Sequence, residues 1–411
     1  MLKDDVLQLI ANGENSGVEF KRDDLRPEQL AREIVALANF QGGYLLLGVE
    51  DDGQISGIQR PDLETWVMDT VFGRYVHPQI LPFYEEVRME GDRRVAVVSI
   101  TQGTAKPYVL RHNGREEIYV RVGSTSRLAT REQQARLFES GGLLHAELLP
   151  VSGSKLASLD LVRLTDYLVN LVGDDEAPTS NAAWHERLMG LGLMTPREDA
   201  EPVCTIAGLV LFGRAPRRYL RQAGVRWMSF LGDDMSYQAQ DDPVIDGRLV
   251  ALRKGRAGSS RPMVEHGLIE RLLDRMRPFI SREAEAPDHE FRRERTYGYA
   301  LDAVREAVLN ALIHRDWTRS MDVEVVNYTD RLTVTSPGTL QNSMTLEKML
   351  AGQRSPRNPI ITEVMRDYGY VDMRGMGVRR KIVPLTREWS GKDARFELTD
   401  DFLRVTLPVK S

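Results

Sequence analysis

The 411-residue chain holds a single cysteine, Cys204, so no intrachain disulfide can form and a reducing, cytoplasmic setting is expected. It has no apolar run long enough to span a bilayer. The start, Met1-Leu2-Lys3-Asp4-Asp5, lacks the apolar core of a signal peptide, so neither export nor a membrane partner is expected. There is no excess of positive charge either. At a formal net charge of −5 nothing draws the whole molecule to nucleic acid, and any such binding must rest on local patches. Internal repeats and low-complexity tracts are missing too, which excludes a solenoid. What is present, 42% hydrophobic and 28% charged residues, is ordinary for a globular protein, and the length suits two or three domains.

Local basic patches do exist. Arg214, Arg217, Arg218, Arg221 and Arg226 crowd one segment, and Arg248, Arg253, Lys254, Arg256 and Arg261 another. Arg292, Arg293 and Arg295 form a third. Such clusters read equally well as a phosphate-tracking stripe or as solvated faces or intersubunit salt bridges.

Pattern places the elements in an α+β order. Residues 2–11 predict a short amphipathic helix, followed by a strand over Glu14–Lys21 with Val18 and Phe20 inward and Glu19 and Lys21 on the other face. Pro27 opens a helix through Phe40, and Gly42-Gly43 leads into an apolar strand that stops at Glu50-Asp51-Asp52-Gly53. A helix over Trp66–His77 and hairpins to about Val122 follow, then a polar, basic loop over Arg121–Arg127. Linker-like composition near 145–155 sets the first boundary, giving segments 1–148, 149–290 and 291–411. The middle segment is mixed. In it the apolar run 205–212 predicts a strand with Val225–Phe230 as partner. A helix over Tyr299–Asp316 and strands at 321–328 and 331–335 mark the last segment.

Two stretches carry chemistry. Glu14, Glu19 and Asp51 bring carboxylates to strand ends beside Lys21, a set suited to holding Mg²⁺ or Mn²⁺ near a phosphate. Charges on a wet strand face and an acidic turn would look the same. In the last segment Glu306, Asn310 and His314 stand four apart on one helical face, a polar stripe through an apolar helix. Asn310 offers a carbonyl oxygen to Mg²⁺ held between phosphates, and Glu306 a base for water. Ser336-Pro337-Gly338 after a strand and Gly375-Met376-Gly377 before a helix add backbone that approaches a phosphate closely.

These motifs carry a resemblance. Residues 10–130 resemble the bacterial Schlafen AlbA-type (divergent AAA-4) domain, through Gly13-Glu14, Glu19-Phe20-Lys21, Ala38-Asn39, Gly42-Gly43 and Leu47-Gly48-Val49-Glu50-Asp51. Residues 295–390 look like a divergent GHKL-type ATP-binding domain, through Arg305-Glu306-Ala307, Asn310-Ala311, His314-Arg315-Asp316, Ser336-Pro337-Gly338, Arg357-Asn358-Pro359 and Arg374-Gly375 with Gly377. The resemblance implies an N-terminal α+β domain, a mixed middle segment and a C-terminal GHKL-like α/β sandwich. It implies Glu14, Glu19 and Asp51 as metal ligands, with Lys21 completing a catalytic set. It also implies ATP as a second cofactor, bound through Glu306, Asn310, His314, Gly338, Gly375 and Gly377. The aspartate that reads adenine in that family is missing near Ser336-Pro337-Gly338, which leaves hydrolysis and base choice open.

Two functions follow as expectations. One is a metal-dependent endonuclease acting on tRNA or other RNA, controlled by the nucleotide-binding domain and suited to an antiphage or stress role. The alternative is a non-catalytic, ATP-sensing, DNA-binding regulator. Either would pair with itself as a homo-oligomer.

Overall fold

The computed structural model describes residues 1–411 apart from Thr104, Asp199, 256–260, 284–294, 342–343, Arg354, 372–376 and Ser411; of 282, 283 and 295 only the backbone is described. Gly375, Arg374, Arg256, Arg292 and Arg293 therefore lie outside the described residues. The architecture is α+β, in two compact units, Met1–Leu144 and His145–Ser411.

In the first unit α1 (Lys3–Asn12), β1 (Val18–Lys21), α2 (Pro27–Asn39), β2 (Gly42–Leu47), β3 (Phe83–Arg88) and β4 (Arg94–Thr101) build a four-stranded sheet in the order β1-β2-β4-β3. Only β1 and β2 run parallel. Strand period sends Leu45, Leu47, Ala96 and Val98 to one face, where Leu30, Ile34 and Leu37 of α2 cover them. Val18, Phe20, Leu46 and Val97 go to the other face with Val6 of α1. Both faces are thus covered. The expected wet face of β1 is not wet: Glu19, turned toward α2, is 4% exposed. The strand is also shorter than expected, leaving Glu14 in the preceding loop. A further hairpin, β5 (Tyr119–Val122) and β6 (Thr125–Leu128), packs against α2, and Thr130 caps the helix Arg131–Ser140.

The second unit has a six-stranded mixed sheet. In chain order its strands are β7 (Val225–Ser229), β8 (Val244–Ile245), β9 (Val323–Asn327), β10 (Arg331–Pro337), β11 (Arg395–Leu398) and β12 (Phe402–Pro408). Across the sheet they lie β8-β7-β9-β10-β12-β11, with only β7 and β9 parallel. The stretch 149–290 and the stretch 291–411 therefore share one sheet, and they share one core, in which Trp227 of β7 is fully buried. The run 205–212 is a helix, α3 (Ile206–Phe212), and not the expected strand. Every residue of it is buried, so its apolar face goes all the way round and carries no period. Thr205 caps it, with Oγ1 accepting from the Gly208 amide at 3.1 Å. Val225–Ser229 pairs instead with Val323–Asn327.

Helices α4 (Leu268–Ile280), α5 (Leu301–Ile313) and α6 (Pro359–Asp367) add their buried residues to this core. No helix among the described residues is long and apolar enough to cross a membrane. Glu147 is fully buried and accepts from the first amides of α6, Ile360 N at 2.8 Å and Ile361 N at 2.9 Å. Burial pushes its carboxyl up to about 7 against the pull of those two amides.

A folded pKa above the unfolded value means that the proton-linked stability is complete below about pH 4.5 and lost as pH rises through about 7. The difference is worth about 3 kcal/mol. Urea unfolding of the native chain and of Glu147→Gln from pH 4.5 to 8 should show the native advantage shrinking by that order as pH rises. Parallel curves for the two proteins would refute the assignment.

Candidate functional site

The acidic set of the first unit meets on one ammonium. Lys21 Nζ lies 2.6 Å from Glu19 Oε1, 3.7 Å from Glu14 Oε1 and 3.8 Å from Asp51 Oδ1. Gly43, at φ 153°, makes this meeting possible: a Cβ there would stand 2.3 Å from the Gly17 carbonyl, so only glycine lets β2 run this close to the Glu14–Gly17 loop. Glu14 Oε1 also accepts from the Phe20 amide at 2.9 Å. The other oxygen of Glu19 is taken as well. Arg121, on β5, donates to Glu19 Oε2 at 2.7 Å and to the Asn15 carbonyl at 2.6 Å, and pairs with Glu33 Oε2 at 3.4 Å. Arg32 holds the second Glu33 oxygen at 2.8 Å.

Burial raises the Glu19 pKa, as does neighbouring Glu33, while hydrogen bonds from Lys21 and Arg121 oppose the rise. Burial would lower that of Lys21, but Glu19, Glu14 and Glu33 outweigh it and hold the ammonium charged. The cation place between Glu14, Glu19 and Asp51 is therefore filled by the protein's own lysine. Among the described residues no three His, Cys, Asp or Glu side chains are grouped to hold a metal ion. As the side chains stand, this set does not fit Mg²⁺ or Mn²⁺, contrary to the expectation from sequence. Glu33 and Arg121 were not singled out as site residues. Their only signals were a carboxylate inside an apolar helix and an arginine opening a polar loop.

The second unit contains a cleft of about 350 Å³ whose walls include Glu306, Asn310, His314, Gly338 and Gly377. α5 supplies Glu306 and Asn310, and His314 is the capping residue just past its C-terminal end, so the spacing of four keeps the three on one side. Glu306 Oε2 pairs with Lys381 Nζ at 3.3 Å, and Asn310 Nδ2 reaches Glu306 Oε1 at 3.5 Å. Gly377 opens the helical stretch 378–390, and a Cβ on it would fall 1.7 Å from Glu306 Oε1. At Gly338, with φ 101°, a Cβ would meet Arg357 Nη1 at 2.3 Å and Asp316 Cβ at 2.5 Å.

Arg357 donates to the Thr339 carbonyl at 2.5 Å and stands 3.6 Å from Asp316 Oδ2. Asn358 donates to the carbonyls of Ile313 and Arg315 at 2.7 and 2.9 Å, which closes the C-terminal end of α5. The ring of His314 is exposed to the open cleft, yet the protein within its reach, and the charge of Arg357 second, push its pKa down, which favours the neutral ring at pH 7. Glu306 and Asn310 carry oxygens of the kind that hold a cation brought in with phosphates, on condition that Lys381 releases Glu306 Oε2, and Gly377 stands at a helix start, backbone of the kind phosphates approach.

Several of the clustered arginines are spent inside the fold. Arg217 forks onto Asp322 and Arg226 onto Asp242, while Arg261 reaches Asp166 and Arg253 the Arg261 carbonyl. Three of these four are thus held in ion pairs within the chain and the fourth on backbone.

Comparison with known proteins agrees with this division. Residues 14–130 match the family described as "Schlafen, AlbA_2", and residues 320–407 the one described as "Putative ATP-dependent DNA helicase recG C-terminal", an ATPase-domain family of the GHKL superfamily. The second span takes in Gly338 and Gly377 and begins after α5. No curated protein matches the chain. Among solved structures, the DIP2311 protein from Corynebacterium diphtheriae is similar at 22% identity and a TM-score of 0.40, over 99% of this chain and 68% of that one. The N-terminal domain of a RecG-related protein from Nitrosomonas europaea is similar at 23% identity and a TM-score of 0.25, over 32% of this chain and 94% of that one.

Proposed function

We propose that this is a nucleic-acid-binding protein governed by a nucleotide, ATP by its family likeness, held in the C-terminal cleft. The observation that carries the reading is the convergence of Glu306, Asn310 and His314 from one helix with Gly338 and Gly377 from two other segments on a single cavity. Glu306 and Asn310 would hold the nucleotide's Mg²⁺, and Gly377 would let the phosphates approach the helix start. His314, neutral at working pH, serves as a hydrogen-bonding wall and not as a cation. The first unit, through the family-matched span 14–130, would be the nucleic-acid-binding part, and the assembly would be a homo-oligomer.

A second reading makes the first unit a metal-dependent endoribonuclease. It has one observation in its favour: three carboxylates stand within 3.8 Å of a single cationic atom, Lys21 Nζ. Chemistry there would require the ammonium to leave. The chain incubated with tRNA, single-stranded DNA and duplex DNA, under Mg²⁺, Mn²⁺ or chelator and with or without ATP, separates the two. The expected outcome is retention of nucleic acid, ATP binding that falls at least tenfold in Asn310→Ala, and no cleavage with either metal. Mn²⁺-dependent RNA cleavage that disappears in Glu19→Gln would replace the first reading by the second.

A further inference from the structure

Beyond that reading, a second and separate cavity in the C-terminal unit is built for an anion. It holds about 280 Å³ and is framed by Arg214, Arg248 and Arg271, from three different segments: the loop after α3, the loop after β8, and the first turn of α4. Each guanidinium has spent only one nitrogen on the fold. Arg214 Nε donates to the Leu159 carbonyl at 3.1 Å, Arg271 Nη1 donates to the Asp246 carbonyl, and Arg248 Nη2 pairs with Glu265 at 2.6 Å and Asp160 at 3.4 Å. The remaining N–H groups of the three are left for something else.

A fourth arginine reinforces the field. Arg163 is completely buried behind the cavity wall, and its Nη2 faces Glu265 Oε2 at 3.1 Å without hydrogen-bond geometry. Four guanidiniums thus stand against three carboxylates, Asp160 and Glu265 beside them and Glu270 at the helix start, and the balance is positive. Arg163 first, then Arg248, hold the Glu265 carboxyl below its ordinary range, as such a balance requires. Glu265 is half exposed and free to swing out when a stronger anion arrives.

A Cβ on Gly267, which begins α4, would strike the Leu249 carbonyl at 2.4 Å, so this helix start is tightly seated. Its first amides are already used, Gly267 N by Glu270 Oε2 at 3.0 Å and Leu268 N by the Arg248 carbonyl at 2.7 Å, so the donors left for a ligand are the guanidinium forks. Forks converging from three segments suit an oxyanion with several oxygens, such as a phosphate.

We propose that the Arg214–Arg248–Arg271 cavity is a phosphate-binding site, filled either by the backbone of a bound nucleic acid or by a free phosphate compound. It shares no residue with the nucleotide cleft. The double variant Arg214→Gln/Arg271→Gln removes two exposed side chains whose protein partners are backbone carbonyls, so the fold should stand; circular dichroism checks this.

The full-length chain and the variant are titrated with a labelled single-stranded oligonucleotide across a salt series, and separately with pyrophosphate by calorimetry. ATP affinity, unchanged in the variant, shows the cleft to be intact. If the source is nucleic acid, oligonucleotide affinity falls at least tenfold and the logarithmic salt slope drops by about 2. If it is a free phosphate compound, pyrophosphate binding is lost and oligonucleotide binding is kept. Should the double variant fail to fold, Arg271→Lys, which keeps the charge and loses the fork, gives a smaller loss of the same kind. Native protein that takes neither probe, or a folded variant that takes both as well as the native chain, overturns the site.

Discussion

Replacing Arg121 by alanine should lower the unfolding free energy by about 3–5 kcal/mol, the range seen when one partner of a buried ion pair is removed. The side chain of Arg121 is entirely shielded from solvent, and those of Glu19 and Glu33 are 6% and 3% exposed. Without the guanidinium, Glu19 keeps only Lys21 and Glu33 keeps Arg32 and Ser126. Two carboxylates are then left close together in a poorly solvated place. The Asn15 carbonyl loses its shorter hydrogen bond as well and keeps only the Val18 amide at 3.4 Å, which loosens the loop that carries Glu14.

The loss has a pH signature. Glu19 already has a folded pKa above its ordinary 4.5, so the stability tied to its protonated form is complete below that value and lost as pH rises through the folded pKa. Removing Arg121 takes away one of the two hydrogen bonds that restrain the rise, and the folded pKa climbs further. The deficit of Arg121→Ala should therefore be smallest near pH 4.5 and largest at pH 8. Adding Glu19→Gln should recover part of it, because a neutral amide needs no counter-ion. Denaturant unfolding of the three proteins at both pH values provides the check. A deficit independent of pH, or no recovery in the double variant, would show that Arg121 acts by packing alone.

This network also marks how far the sequence could be read. Strand pattern offers Glu14, Glu19, Lys21 and the acidic run Glu50-Asp51-Asp52 as charges at strand ends, the family resemblance narrows them to Glu14, Glu19, Lys21 and Asp51, and these four do come together. The sequence does not disclose that the meeting point is the lysine itself, because nothing local distinguishes a ligand set from a salt-bridged one. Arg121 reaches Glu19 from a hairpin a hundred residues on, and no periodicity links them. The same distance effect hides the partners of the arginine clusters, such as Asp322 for Arg217. Glu306, Asn310 and His314 were easier, since a helix turns spacing into a shared face. The run 205–212 failed for the opposite reason: a short element buried on every side has no face to betray its period.

In the C-terminal cleft, Gly377→Ala should cost little stability, about 1 kcal/mol or less, yet cut ATP affinity at least a hundredfold. The glycine lies at φ −56°, in the ordinary helical region, so alanine brings no backbone strain. What it brings is a methyl 1.7 Å from Glu306 Oε1 and 2.3 Å from its Cδ. The carboxylate is the far end of a flexible side chain and can rotate aside, which keeps the fold intact. Rotation, however, takes Glu306 away from both Lys381 and Asn310 and puts a methyl where a phosphate would approach the helix start. Gly338→Ala is the contrast. There φ is 101° and the new methyl meets Asp316 and Arg357, so stability and binding fall together. Calorimetric ATP titration alongside thermal unfolding separates the two cases: binding lost at a native-like Tm for Gly377→Ala, and binding lost with a lowered Tm for Gly338→Ala. ATP binding at native strength in folded Gly377→Ala would mean that the nucleotide does not lie against Glu306, and the cleft would need another ligand.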